Sequence, residues 1–253
     1  SKRIVCLALV AASVARAQAD NVPSAPSAGV EPSATFRASA SAGDLTVIGD
    51  AGYASLRGDR SLMKWNVGAY THVWRNLKLG AFVEKDRGLR HDGDWVKGDD
   101  DAWGWLDASK RWETLVSFDV TPQTELWFLP GSNWTGELKT RYTVNLRNKD
   151  KTLRVRPGLS YFWFNEGTPW LRFIAQYDLY FPLNYGVAAL YEKWIYLGLF
   201  YQWTDSLEVG LSAAKKSQTW GNTAAYKEAT GQTYRVELSS LEVGLSAHLH
   251  FDL

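Results

Sequence analysis

Basic side chains that could grip an anion recur on one face of several alternating runs in this sequence. The densest set lies between residues 136 and 160. In its first half Leu138, Thr140, Tyr142, Val144 and Leu146 alternate with Glu137, Lys139, Arg141, Thr143, Asn145 and Arg147. After a polar turn at Asn148-Lys149-Asp150, Leu153, Val155, Pro157 and Leu159 alternate with Arg154, Arg156, Gly158 and Ser160. A strand alternates its faces with a period of two, so this hairpin has one apolar face and one basic face. Guanidinium groups bind carboxylates and sulfates through paired hydrogen bonds, so a row of them forms a track for anions. With Lys64, Lys78, Arg111 and Arg172 on the same phase of other runs, the candidate pore-lining and substrate-binding set is Lys64, Lys78, Arg111, Lys139, Arg141, Arg147, Arg154, Arg156 and Arg172. Glu113, Glu137, Asp119 and Asp178 could instead pair with these cations and buttress a narrow lumen. Both arrangements stay open at this point.

Other chemistry has less to work with. His72, His91, His248 and His250 are the four histidines. His248 and His250 share a strand face, but no third metal ligand accompanies them. No nucleophile elbow, zinc-protease helix or phosphate loop occurs. Ser246, between Gly244 and His248, does not by itself make a hydrolase. No catalytic residue, metal or cofactor is therefore assigned, and the chain is expected not to be an enzyme. Phe82, Phe162, Trp194, Tyr196 and Phe200 fall on the same phase as the cations, where rings could stack on sugars or simply pack the interior.

The elements that must position these residues are strands. After the N-terminus no stretch approaches the ~20 apolar residues of a membrane helix. Trp, Tyr and Phe number 13, 12 and 10 against a single Met, which suits strands with interfacial aromatic belts. Alternating runs are expected at 45–56, 62–74, 77–85, 109–120, 124–129, two in the basic hairpin, 170–181, 184–191, 194–203, 207–216 and 232–253. That makes about twelve strands, with long loops near 86–104 and 217–231. The turns after Trp74, Val120, Leu146, Phe181 and Trp203 are expected together on the opposite rim. A phase slip at Ser239-Ser240 suggests a β-bulge. An all-β, up-and-down antiparallel transmembrane barrel explains an apolar face turned to lipid and charges turned to water.

Residues 1–19 read as a signal peptide: Lys2 and Arg3, an apolar core, then Ala17-Gln18-Ala19. Removing its basic residues Lys2, Arg3 and Arg16 leaves 25 basic against 27 acidic side chains, so the basic hairpin is a local concentration. The lone Cys6 lies inside that segment, which excludes disulfides and cysteine chemistry from the mature chain. Residues 20–43, rich in Ala, Ser and Pro, read as a flexible leader, and residues 44–253 as the barrel. The expected location is the bacterial outer membrane, reached through the cleaved signal. Expected partners are outer-membrane lipid, lipopolysaccharide and an anionic small molecule or oligosaccharide, with no nucleic acid.

The runs from Lys139 to Arg147 and from Leu153 to Arg156, set in about 210 residues of barrel pattern, resemble the oligogalacturonate-specific porins of bacterial outer membranes. That resemblance implies a narrow twelve-stranded monomer whose arginine-lined pore passes acidic oligosaccharides by passive diffusion. The sequence departs from the pattern in the leader before Asp44 and in ending Phe251-Asp252-Leu253. Two other readings stand beside the channel: an outer-membrane lipid hydrolase or acyltransferase, and a structural or export barrel of a polysaccharide-secretion system.

Overall fold

The computed structural model describes residues 29–56, 60–89, 91, 94–131, 133–186, 190–222 and 224–253. The expected signal peptide and residues 20–28 of the leader lie outside them. Among the described residues thirteen strands occur in chain order: β1 (Val30–Ala42), β2 (Leu45–Leu56), β3 (Arg60–Trp74), β4 (Leu77–Arg87), β5 (Trp95–Lys97), β6 (Trp103–Trp105), β7 (Trp112–Glu125), β8 (Trp134–Asn145), β9 (Lys151–Asn165), β10 (Thr168–Pro182), β11 (Glu192–Thr204), β12 (Leu207–Gly221) and β13 (Arg235–Asp252). Among the described residues one helix, α1 (Ala224–Thr230), precedes β13. β5 and β6 form a separate small hairpin, and the other eleven strands close into one barrel.

Each barrel strand pairs antiparallel with its sequence neighbour in the barrel, while β1 closes on β13 in parallel. The parallel seam is a necessity of parity: an odd number of alternating strands leaves the first and last pointing the same way. The expected even count fails for three reasons. Val30–Ala42, assigned to the leader for its small residues, is strand β1, with Ser33, Thr35, Arg37, Ser39 and Ser41 alternating against Ala34, Phe36, Ala38 and Ala40. The expected turn at Thr121-Pro122-Gln123 is continuous strand β7. Pro122 is tolerated because the β7–β8 ladder has no pair between Val120–Thr140 and Gln123–Glu137, so its missing N–H falls in that break. The run at 184–191 forms no strand among its described residues.

Losing one expected strand also moves two turns to the other rim. The turns after β8 and β10 lie with the long segments 88–111 and 222–234, whereas β1–β2, β3–β4, β7–β8, β9–β10 and β11–β12 are joined at the short-turn rim. In the two-residue turn between β9 and β10, Glu166 and Gly167 have φ of 50° and 85°, the left-handed pair that a tight hairpin requires.

The apolar phase faces outward. Val47, Val67, Val83, Phe118, Leu138, Leu159, Leu197, Leu211, Val243 and Leu245 are all exposed. Trp74, Trp127, Phe128, Trp163, Trp170, Tyr201 and Trp203 gather on the outside of the short-turn rim, several in edge-to-face contact. Among the described residues no helix is long and apolar enough to cross a membrane.

At the long-loop rim the segments fold into a cap. Trp95, Tyr226 and Tyr234 form its buried centre, with Trp103, Trp105 and Val236 packed around them. This cap accounts for the phase slip in β13. The β12–β13 register runs unbroken from Arg235 to Leu249, without the expected bulge. Val236 is apolar on the inward phase because it meets the cap, whereas Glu242, lower on the same face, lines the charged interior.

Candidate functional site

The barrel encloses a cavity of about 1140 Å³. Its wall includes all nine basic candidates: Lys64 on β3, Lys78 on β4, Arg111 just before β7, Lys139 and Arg141 on β8, Arg147 in the following turn, Arg154 and Arg156 on β9, and Arg172 on β10. The strand register sets four of them face to face, Lys139 opposite Arg156 and Arg141 opposite Arg154. Like charges directly opposed on neighbouring strands repel, so the arrangement persists only with counter-charges.

Two buried carboxylates supply these. Asp119 on β7 takes Nε and Nη2 of Arg141 at 2.6 and 2.8 Å and Lys139 Nζ at 2.7 Å. The Tyr70 hydroxyl donates to Asp119 at 3.0 Å and accepts from Lys139. Asp178 on β10 takes Nε and Nη2 of Arg154 at 2.6 and 2.8 Å and Nε of Arg156 at 2.7 Å. Four cations thus share two carboxylates in this belt. Arg156 gives Asp178 a single hydrogen bond, and its terminal nitrogens make none with the described residues.

The inward rings support the cations. The Arg141 guanidinium lies 4.8 Å from the Phe82 ring centre, Arg154 5.1 Å from Tyr180, and Arg172 4.9 Å from Phe200. Lys216 lies 4.0 Å above the Trp194 ring. These faces are thereby engaged by charge. Phe82, Trp194, Tyr196 and Phe200 line the cavity, while Phe162 sits outside its lining near Phe164.

Arg172 and Arg37 each have a carboxylate that no other arginine or lysine among the described residues shares. Arg172 binds Glu208 at 2.6 Å, and His248 Nδ1 meets the same carboxylate at 3.0 Å. Arg37 binds Asp50 at 2.5 Å, which Asn66 also contacts at 3.0 Å. Lys64 and Lys78 make no ion pair within 4 Å with a described residue. Of the carboxylates expected as partners, Glu137 takes Gln176 at 3.2 Å instead of a cation.

At the long-loop mouth Arg111 clamps the incoming segment. Its guanidinium donates to both oxygens of Asp94 at 2.7 and 2.6 Å and to the Leu89 carbonyl at 2.6 Å, and its Nε lies 2.8 Å from Glu113. His91 Nε2 reaches Glu113 at 2.7 Å, and Arg147 stands further off, half exposed and 3.7 Å from Glu113. Burial alone would push the Asp94 carboxyl up; the Arg111 guanidinium and the His91 N–H outweigh it and hold Asp94 below the usual carboxylate range. Burial pushes the Asp150 carboxyl up, against the pull of His91.

The cavity wall holds ten Lys and Arg against ten Asp and Glu, so the interior as a whole is not basic and any preference for anions must come from the belt. Arg37, Asp50 and Lys216 escaped the sequence reading. For Arg37 the signal existed, since it stands on the same phase as Ser33 and Ser39, but the small and proline residues around it imitate a linker. A scan against protein-family models finds no match, and a search of curated proteins finds none either.

Proposed function

We propose that this protein is an outer-membrane channel through which small anionic solutes, acidic oligosaccharides among them, diffuse passively along the Lys139, Arg141, Arg154 and Arg156 belt. The observation that supports this reading is the two-to-one ratio of cations to carboxylates there, inside a cavity whose wall outside the belt holds six cations against nine carboxylates. A solute carboxylate arriving at the belt meets the chemistry that Asp178 already offers, so exchange between the two carries little penalty. Arg156, which lines the cavity and gives Asp178 only its Nε, is the first contact. An exposed apolar belt and barrel strands of 11 to 18 residues suit a bilayer, where a tilted strand needs about 9–11. Lipid and lipopolysaccharide then cover the outer face.

The test is planar-bilayer recording of the refolded protein in a salt gradient. Wild type is expected to reverse at a potential showing anion preference, and Arg154→Glu with Arg156→Glu to abolish or invert it. A reversal potential unchanged by the double substitution would refute the role of the belt.

A further inference from the structure

A second constellation lies at the short-turn mouth, where β1 closes on β13. Ser39 Oγ and His250 Nδ1 are 2.9 Å apart, although 211 positions separate them in sequence. His250 Nε2 is in turn 2.9 Å from Asp252 Oδ1. With the Nε2 proton donated to Asp252, the Nδ1 lone pair is left to accept the Ser39 hydroxyl proton. The Leu249 carbonyl, at 3.4 Å, is a more distant acceptor for that hydroxyl. Backbone bonds hold the segment in place: His250 N–H donates to Ser206 and Leu253 N–H to Ser41, both at 2.8 Å.

We propose that Ser39, His250 and Asp252 form a hydrolase site for small carboxylic esters carried on polar solutes. Ser39 Oγ bonds to the ester carbonyl carbon as its proton passes to His250 Nδ1, and Asp252 steadies the imidazolium. The carbon–oxygen bond to the alcohol then breaks, and the alcohol leaves with the proton from His250. Water attacks the acyl-serine, giving its proton to His250; the carboxylic acid departs and Ser39 recovers the proton.

The oxyanion has a donor within reach. Ser41 Oγ and Thr46 Oγ1 lie 2.8 Å apart, and two hydroxyls sharing one hydrogen bond leave one proton to give. Ser41 is the next residue on the same face as Ser39, about 6.8 Å along the strand, which leaves room for a carbonyl between them.

The surroundings set the substrate class. Ser39 shares the inward phase with Arg37 and not the lipid-facing phase of Phe36, so the ester arrives through water. His250 and Asp252 are 44% and 87% exposed, which keeps the mouth wet. Ile48, the cross-strand partner of Ser39, offers one apolar contact, enough for a short acyl group. The site was hidden in the sequence because Ser39 stands in the segment that resembled a linker. Its chemistry does not depend on what the lumen conducts.

The full-length refolded barrel, checked for folding by heat-modifiable gel mobility, is treated with a fluorophosphonate probe and assayed with p-nitrophenyl acetate. A covalent adduct on the Ser39 peptide is expected, lost in Ser39→Ala. Ester turnover should fall about 100- to 10,000-fold in His250→Ala, and Asp252→Asn should lower kcat while leaving KM in place. Folded wild type without an adduct on Ser39, or turnover unchanged in folded Ser39→Ala, overturns the proposal. Turnover of phospholipid but not of the short ester overturns the substrate class.

Discussion

Asp178 holds Arg154 and Arg156 with a single carboxylate, so its charge counts twice in the belt. Asp178→Asn leaves both guanidiniums without a counter-ion. It is expected to strengthen anion preference in a reversal-potential measurement while lowering stability by about 2–3 kcal/mol, read from the urea midpoint. Stability lost without a change in selectivity would show that solutes do not sample these arginines. At this scale much was legible. Period-two alternation alone brought Lys139, Arg141, Arg154 and Arg156 to one face. What alternation cannot supply is register, and register decides that Asp119 serves Arg141 while Glu137 serves Gln176. Arg37 was obscured for a different reason: it shares its phase with Ser33 and Ser39, but the small and proline residues around it imitate a linker.

Elements reveal where local cues competed with tertiary context. Pro122 has the usual appearance of a turn, yet β7 continues through it because neither neighbour needs its N–H. Tyr234, Val236 and Leu238 mimic a bulge, yet they follow a change in what the strand faces, from charged lumen to aromatic cap. Phe82 depends on two neighbours lacking a side chain: a Cβ at Gly68 would strike its ring and the Ala81 carbonyl, and one at Gly80 would come within 2.6 Å of Tyr70. Gly68→Val is therefore expected to prevent folding, seen as loss of heat-modifiable mobility. The Asp94–Arg111 clamp gives a pH prediction. Because folding holds the Asp94 carboxyl below its ordinary value, its contribution is full above about pH 4 and is lost as pH falls through the depressed value. Limited proteolysis at 88–94 should accelerate in acid, and Asp94→Asn should show that faster cleavage already at neutral pH. Equal cleavage of both proteins at every pH would contradict the clamp.

For the whole molecule, the parallel seam separates this barrel from an even-stranded one. Ala34 and Leu245 are partners across it, both outward. Neighbouring strands lie about 4.8 Å apart, inside the roughly 4.4–6.8 Å window for a disulfide. Ala34→Cys with Leu245→Cys, in a Cys6→Ser background, is expected to form an intramolecular cross-link that alters mobility on non-reducing gels. A linker at 30–42 would leave both thiols free. The seam also has a kinetic meaning. The hairpins at the short-turn rim close over 2 to 8 residues, whereas Ser33 and Glu242, which meet across the seam, are 209 positions apart. Loop-closure entropy makes that step costlier than a ten-residue hairpin by roughly 3 kcal/mol, and long-range pairing slows folding. Until β1 docks, β13 is an open edge able to recruit any unpaired strand, including one from another chain. The closure with the largest entropic cost is thus the one that covers this edge, and it also brings Ser39 to His250.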